Sequence, residues 1–128
     1  MSKKATQFDL YSLEPEPEGK IAKEKLFHGW LVLGKTTVKD AKTRKELFDA
    51  LQEEADKAPK CFDPRHGIRA THGGKTVDLV ICFHCGHIYI YLDGKDERAD
   101  SQTVSRDSQP AFDKVLKAAK VPLAKKKE

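Results

Sequence analysis

The chain has 128 residues, enough for one domain that buries a real core without disulfides or a metal to hold it together. Charged residues make up 34% and hydrophobic ones 38%, the balance expected of a soluble globular protein with polar ends. The formal charge of +4 is accounted for by Lys3, Lys4, Lys125, Lys126 and Lys127 against Glu128, so the body is near neutral and a basic face for nucleic acid is disfavoured.

No apolar run reaches the length of a membrane span, and MSKKATQFDL lacks the apolar stretch of a signal peptide, so the expected location is the cytoplasm. Three cysteines in that setting are expected as reduced thiols or metal ligands before they are a disulfide framework. Residues 1–25 read as a mobile N-terminal arm, because Phe8, Leu10, Tyr11 and Leu13 are its only apolar anchors and Pro15 and Pro17 follow in EPEPEG. Leu26 to Val38 has the β-branched and aromatic content of one strand, bent or weakened at Gly29 and Gly34. Asp40 is positioned to cap a helix running to about Lys57, with Leu47, Phe48, Leu51 and Ala55 on its apolar stripe and Pro59 beyond its end.

A three-stranded meander comes next. Gly73-Gly74 supplies the positive φ angles of a two-residue hairpin, which sets His72 opposite Lys75, Arg69 opposite Asp78, Ile68 opposite Leu79 and His66 opposite Ile81. A second turn at Cys85-Gly86 sets His84 opposite His87 and Ile81 opposite Ile90. Alternation then collects Ile68, Ala70, Val77, Leu79, Ile81, Phe83, Ile88, Ile90 and Leu92 on a core face. Arg69, Asp78, Val80, Cys82, His84, His87, Tyr89 and Tyr91 form a mixed outer surface on the other face. Residues 93–107 read as loop, and Ser108 opens a final helix with Pro110 in its first turn and Phe112, Val115, Leu116 and Ala119 buried. The expected fold is an α+β domain over residues 26–123, followed by a basic tail at 124–128. It comprises an antiparallel sheet of about four strands with two helices packed on one face, in the order strand, helix, meander, helix.

The distinctive chemistry lies between Cys61 and Leu92. Cys82-Phe83-His84-Cys85-Gly86-His87 has the spacing of a zinc knuckle, in which two thiolates share one ion and the glycine lets the turn close. Cys61 and His66 are the candidate second pair, making Cys61, His66, Cys82 and Cys85 the expected metal ligands and zinc the expected ion. Parity opposes this set, since His66 shares the face of Ile81 whereas Cys82 points the other way. The same CxxC is open to reading as a redox pair, and Cys61 to a disulfide with Cys82 or Cys85, or to nucleophilic chemistry with His66 as base. Arg65 beside His66 is a candidate anion ligand, with pairing to a nearby carboxylate as its plainer alternative. The plainest alternative for the cysteines is core packing, with His84 and His87 as surface residues at a turn.

The segments HGWLVLGKTTVKDAKTRKELFDAL, CFDPRHGIRATHGGKTVDLVICFHC and QPAFDKVLKAAKVPLAKK resemble a family of small uncharacterised bacterial proteins, some of them exported lipoproteins. The most specific pieces are CFDPRHGIR and ICFHC. The resemblance implies no activity, and the lack of an export signal departs from its exported members. The functional expectation is thus a binding or structural module with a Cys/His cluster, with a thiol-disulfide redox protein or sensor as the alternative. A protein partner is open, and no enzyme activity is assigned.

Overall fold

Seven antiparallel strands form one sheet in the computed structural model, which describes residues 7–15, 25–52, 64–93, 95 and 100–124. The strands are β1 (Gln7–Glu14), β2 (Leu26–Phe27), β3 (Trp30–Thr37), β4 (His66–His72), β5 (Lys75–Cys82), β6 (His87–Leu92) and β7 (Asp100–Thr103). Their order across the sheet is β2-β3-β1-β4-β5-β6-β7, with helices α1 (Ala41–Ala50) and α2 (Gln109–Ala118) added. The architecture is α+β but mostly sheet, and it corrects the expected four-stranded sheet with two helices on one face. Seven strands curl into a half-barrel.

Three elements account for the difference. The stretch expected as a mobile arm contains β1, which lies between β3 and β4 and bonds to both. Phe8, Leu10 and Leu13 are essentially inaccessible, so the few apolar residues that looked like loose anchors are core positions. The expected single strand over 26–38 is a hairpin, because His28 (φ 50°) and Gly29 (φ 91°) both adopt the left-handed region that a tight two-residue turn requires. Within the segment expected as loop, β7 pairs with β6 along the sheet edge.

The meander keeps the expected β4–β5 register throughout, from His72 opposite Lys75 to His66 opposite Ile81. The β5–β6 turn is wider than expected. Cys82 lies opposite His87 and Ile81 opposite Ile88, leaving Phe83 to Gly86 as the connection, with Gly86 (φ 71°) in the position that needs positive φ. Moving the register by a full pleat repeat keeps every side chain on its expected face. It does push Leu92 to the sheet's end opposite Val77, where it is 47% exposed in place of its expected core position.

Both faces of the sheet are buried. On one, Phe8, Leu10, Ile68, Leu79, Ile81 and Ile88 pack with Leu47 within α1 and Leu51 just after it, and with Phe112 and Leu116 of α2. Asp40 caps α1 as expected, accepting from the Thr43 amide at 3.1 Å and the Thr43 hydroxyl at 2.7 Å. The helix ends at Ala50; Ala55 and Pro59, on which the longer expectation rested, lie outside the described residues. Ser108 opens α2 as expected, and its hydroxyl donates to the Ala50 carbonyl at 2.6 Å, tying the two helices together.

The other face, expected as a mixed surface, is a second core of Tyr11, Leu13, Phe27, Val80 and Tyr91 flanked by Trp30, Val32 and Tyr89. Curvature makes it so. His28, at the tip of the β2–β3 hairpin, stacks on Tyr91 of β6 with ring centroids 3.9 Å apart, although β1, β4 and β5 intervene in the sheet. Gly67 makes room for this closure: a Cβ there would sit 2.8 Å from the Phe27 ring.

Each of Phe8, Leu10 and Leu13 contributes about 2 kcal/mol by burial, so together they approach the roughly 5–15 kcal/mol that holds a domain folded. Deleting residues 1–14 is therefore expected to abolish cooperative unfolding. A truncated chain that still gives a single sharp urea transition would show β1 to be dispensable.

Candidate functional site

A cavity of about 570 Å³ opens where the start of β4 meets α2, lined by Arg65, His66, His84, Arg106, Gln109, Asp113, Lys117, Leu123 and Ala124. Five separate segments build it, with Leu123 and Ala124 supplied by the chain after α2. Gln109, Asp113 and Lys117 recur every fourth residue along α2 and so present one polar stripe, while Phe112 and Leu116 face the core. Arg65 and His66 enter from the start of β4, His84 from the β5–β6 turn, and Arg106 from the 3₁₀ turn at Arg106–Ser108. The Arg106 guanidinium donates to the His84 carbonyl at 3.2 Å, which ties the last two segments at the rim.

At the pocket's inner wall, His66 Nε2 and Asp113 Oδ1 are 2.7 Å apart. The His66 side chain is only 3% exposed, edged by Phe83 and Phe112 at 5.1 and 6.1 Å between ring centroids. Burial pushes the Asp113 carboxyl up, but hydrogen bonds from His66 and Gln109, together with the nearby positive charge of Lys117, outweigh it and hold Asp113 below the ordinary carboxyl range. It is an anion at neutral pH. An ionised carboxylate only accepts, so the bonded His66 Nε2 is the donor. The Arg65 Nε is buried and has no hydrogen-bond partner among the described residues. The carboxylate partner that was the plainer expectation for Arg65 is absent among them.

Of the expected metal ligands, Cys61 lies outside the described residues. His66 lies opposite Ile81 and shares its face, and its Nε2 is engaged by Asp113. Cys82 and Cys85 are buried, and the Cys85 amide donates to Cys82 Sγ at 3.0 Å across the turn. Among the described residues, no three His, Cys, Asp or Glu side chains are grouped so as to hold a metal ion. The face opposition between His66 and Cys82 seen in the sequence thus persists in the fold.

Asp113, Gln109, Lys117 and Arg106 escaped the sequence reading. The only signal for the three on α2 was the four-residue recurrence of polar side chains opposite its apolar stripe, which a solvated helix face would show equally, and Arg106 lay in a stretch read as loop.

A second histidine and carboxylate meet on the opposite face of the sheet. Asp78, fully buried, accepts from Arg69 Nε at 2.8 Å and Nη2 at 2.9 Å, and from His28 Nε2 at 2.8 Å. Burial works to raise its carboxyl, yet the bonds from Arg69 and His28 outweigh it and keep Asp78 ionised. Its oxygens take three hydrogen bonds inside the fold and Asp78 is fully buried, so this cluster reads as a structural clasp, whereas Asp113 faces a cavity.

No helix among the described residues is long and apolar enough to cross a membrane. Comparisons of the chain with family models, with curated proteins and with solved structures found no match.

Breaking a buried ion pair typically costs roughly 3–5 kcal/mol; for Asp78→Asn we expect about 2, because Arg69 is 41% exposed and can rehydrate. A carboxyl depressed in the folded state contributes stability that is complete above its unfolded pKa and is lost as pH falls through the folded one. Urea melts should therefore show the gap between wild type and Asp78→Asn widest near neutrality and closing in acid. A gap that widens in acid would contradict the ionised state of Asp78.

Proposed function

We propose that this chain is a small binding module whose ligand is an anion held between the start of β4 and α2. The observation that carries the reading is the charge balance of the pocket. Arg65, Arg106 and Lys117 face it, and Asp113, the single carboxylate among the lining residues, already accepts from His66 and Gln109. Arg65 adds a buried Nε with no acceptor among the described residues. Guanidinium groups bind carboxylate and phosphate through paired N–H donors, and low-dielectric walls strengthen that attraction relative to open water. No reaction is assigned to the site.

A second reading concerns the cysteine turn, favoured by the amide hydrogen bond onto Cys82 Sγ, since such bonds stabilise a sulfur that carries thiolate charge. A structural zinc on Cys82 and Cys85 would draw its remaining ligands from outside the described residues, with Cys61 the candidate. The burial of both cysteines favours a closed structural role over thiol exchange, which needs access.

Calorimetric titration at low salt is expected to show phosphate or citrate binding to the wild-type chain, weakened about tenfold in Arg65→Gln and again in Arg106→Gln, the scale of one charge-assisted hydrogen bond. Unchanged affinity in both variants would sink the anion reading. For the cysteine turn, elemental analysis of untagged protein should find zinc near one per chain, lost in a Cys82→Ser, Cys85→Ser double variant; metal-free protein with an undiminished melting temperature would rule it out.

A further inference from the structure

Resting on the anion reading, we infer that the pocket's ligand class is a phosphomonoester of a hydroxylated, non-aromatic body, such as a sugar phosphate. Three features select this class. The first is charge: three cations against one carboxylate leave the lining at a formal +2, which matches a phosphomonoester of about −2 better than a monocarboxylate. The second is size, because about 570 Å³ lies within the roughly 300–1,000 Å³ of pockets that enclose whole small molecules, and a bare phosphate ion leaves most of it unfilled.

The third feature is the pattern of acceptors. Each Asp113 oxygen takes one internal hydrogen bond, Oδ1 from His66 and Oδ2 from Gln109, and an ionised carboxylate offers about four acceptor positions. Asp113 lines the same cavity as the cations, so those left over are open to a ligand there. A ligand made only of acceptors sets like charge against them, whereas hydroxyl groups donate to them. Aromatic recognition is disfavoured in the same way. Among the described residues no Phe, Tyr or Trp lines the cavity, and Phe83 and Phe112 are buried behind a His66 ring that is itself almost fully covered, so a nucleobase meets no exposed aromatic side chain there. Leu123 and Ala124 offer a small apolar lip against which a carbon skeleton can rest.

The test is calorimetric titration of the full chain with glucose 6-phosphate, inorganic phosphate, cyclohexyl phosphate and AMP, at one pH and low salt. Glucose 6-phosphate should bind about tenfold more tightly than cyclohexyl phosphate, which has the same charge and ring size without hydroxyls, and more tightly than inorganic phosphate or AMP. In Asp113→Asn the advantage over cyclohexyl phosphate should fall below about threefold, while inorganic phosphate binds at least as well because a like charge is gone. Equal affinity for glucose 6-phosphate and inorganic phosphate would overturn this inference while the anion reading stands. Preference for AMP would overturn it in favour of a base-recognising site. Absence of binding by every compound would remove the anion reading itself. Should Asp113→Asn fail to fold, the wild-type comparison of glucose 6-phosphate with cyclohexyl phosphate still decides the outcome.

Discussion

The structure depends on a carboxylate sealed inside a curled sheet. Asp78 is fully buried on β5, and leaving it ionised there is tolerable only because Arg69 from β4 and His28 from the β2–β3 hairpin both donate to it. Arg69 is a sheet neighbour, directly opposite Asp78 in the β4–β5 ladder. His28 comes from the far edge of the sheet, so satisfying Asp78 brings the hairpin over the face and bends the sheet toward it. The stack of His28 on Tyr91 and of Tyr11 on Phe27, with centroids 4.4 Å apart, then covers the clasp with aromatic surface. Polar satisfaction and apolar closure are the same event here.

Curvature toward Asp78 leaves the outer face to the helices. α1 and α2 cover its centre, and the chain after α2 follows, with Val121 and Leu123 packed against the core and Val121 approaching Gly34 so closely that a Cβ there would meet it at 2.9 Å. At the end of β4 nearest the turn, the cover is polar: the Gln109, Asp113 and Lys117 stripe meets His66, and a cavity remains. The molecule thus carries a histidine and a carboxylate on each face of one sheet, with opposite roles. His28 and Asp78 close a structure, and His66 and Asp113 border an open site.

The CxxC segment has a definite architectural part in this. Its turn is held by the Gly86 amide donating to the Phe83 carbonyl at 3.2 Å and by Val104 donating to the Gly86 carbonyl at 3.0 Å. The turn sends Phe83 into the core against His66 and Phe112, places Cys82 and Cys85 inside, and leaves His84 outside with its carbonyl holding Arg106. Whatever the sulfur atoms bind, the spacing of the motif sets the position of one cation and one histidine at the pocket rim.

Local chemistry was readable wherever a short-range signal decides the geometry. Gly73-Gly74 determined the β4–β5 hairpin, Asp40 the start of α1, and strict alternation the face of every meander residue, which survived even a misplaced second turn because the displacement was a whole pleat repeat. Arg69 opposite Asp78 was legible for the same reason. The tertiary structure alone decided what those faces meet. β1 hides in the sequence because a prolyl segment follows it and its partners lie far along the chain, and the β2–β3 turn hides because histidine seldom takes positive φ unless, as with His28, contacts elsewhere hold it there. The pocket was half legible: Arg65 and His66 sit together in CFDPRHGIR, but their counterparts on α2 are more than forty residues away and look like an ordinary solvated helix face. Alternation tells which way a side chain points, and only the curl of the whole sheet settles whether that direction leads to water, to a second core or to a cavity.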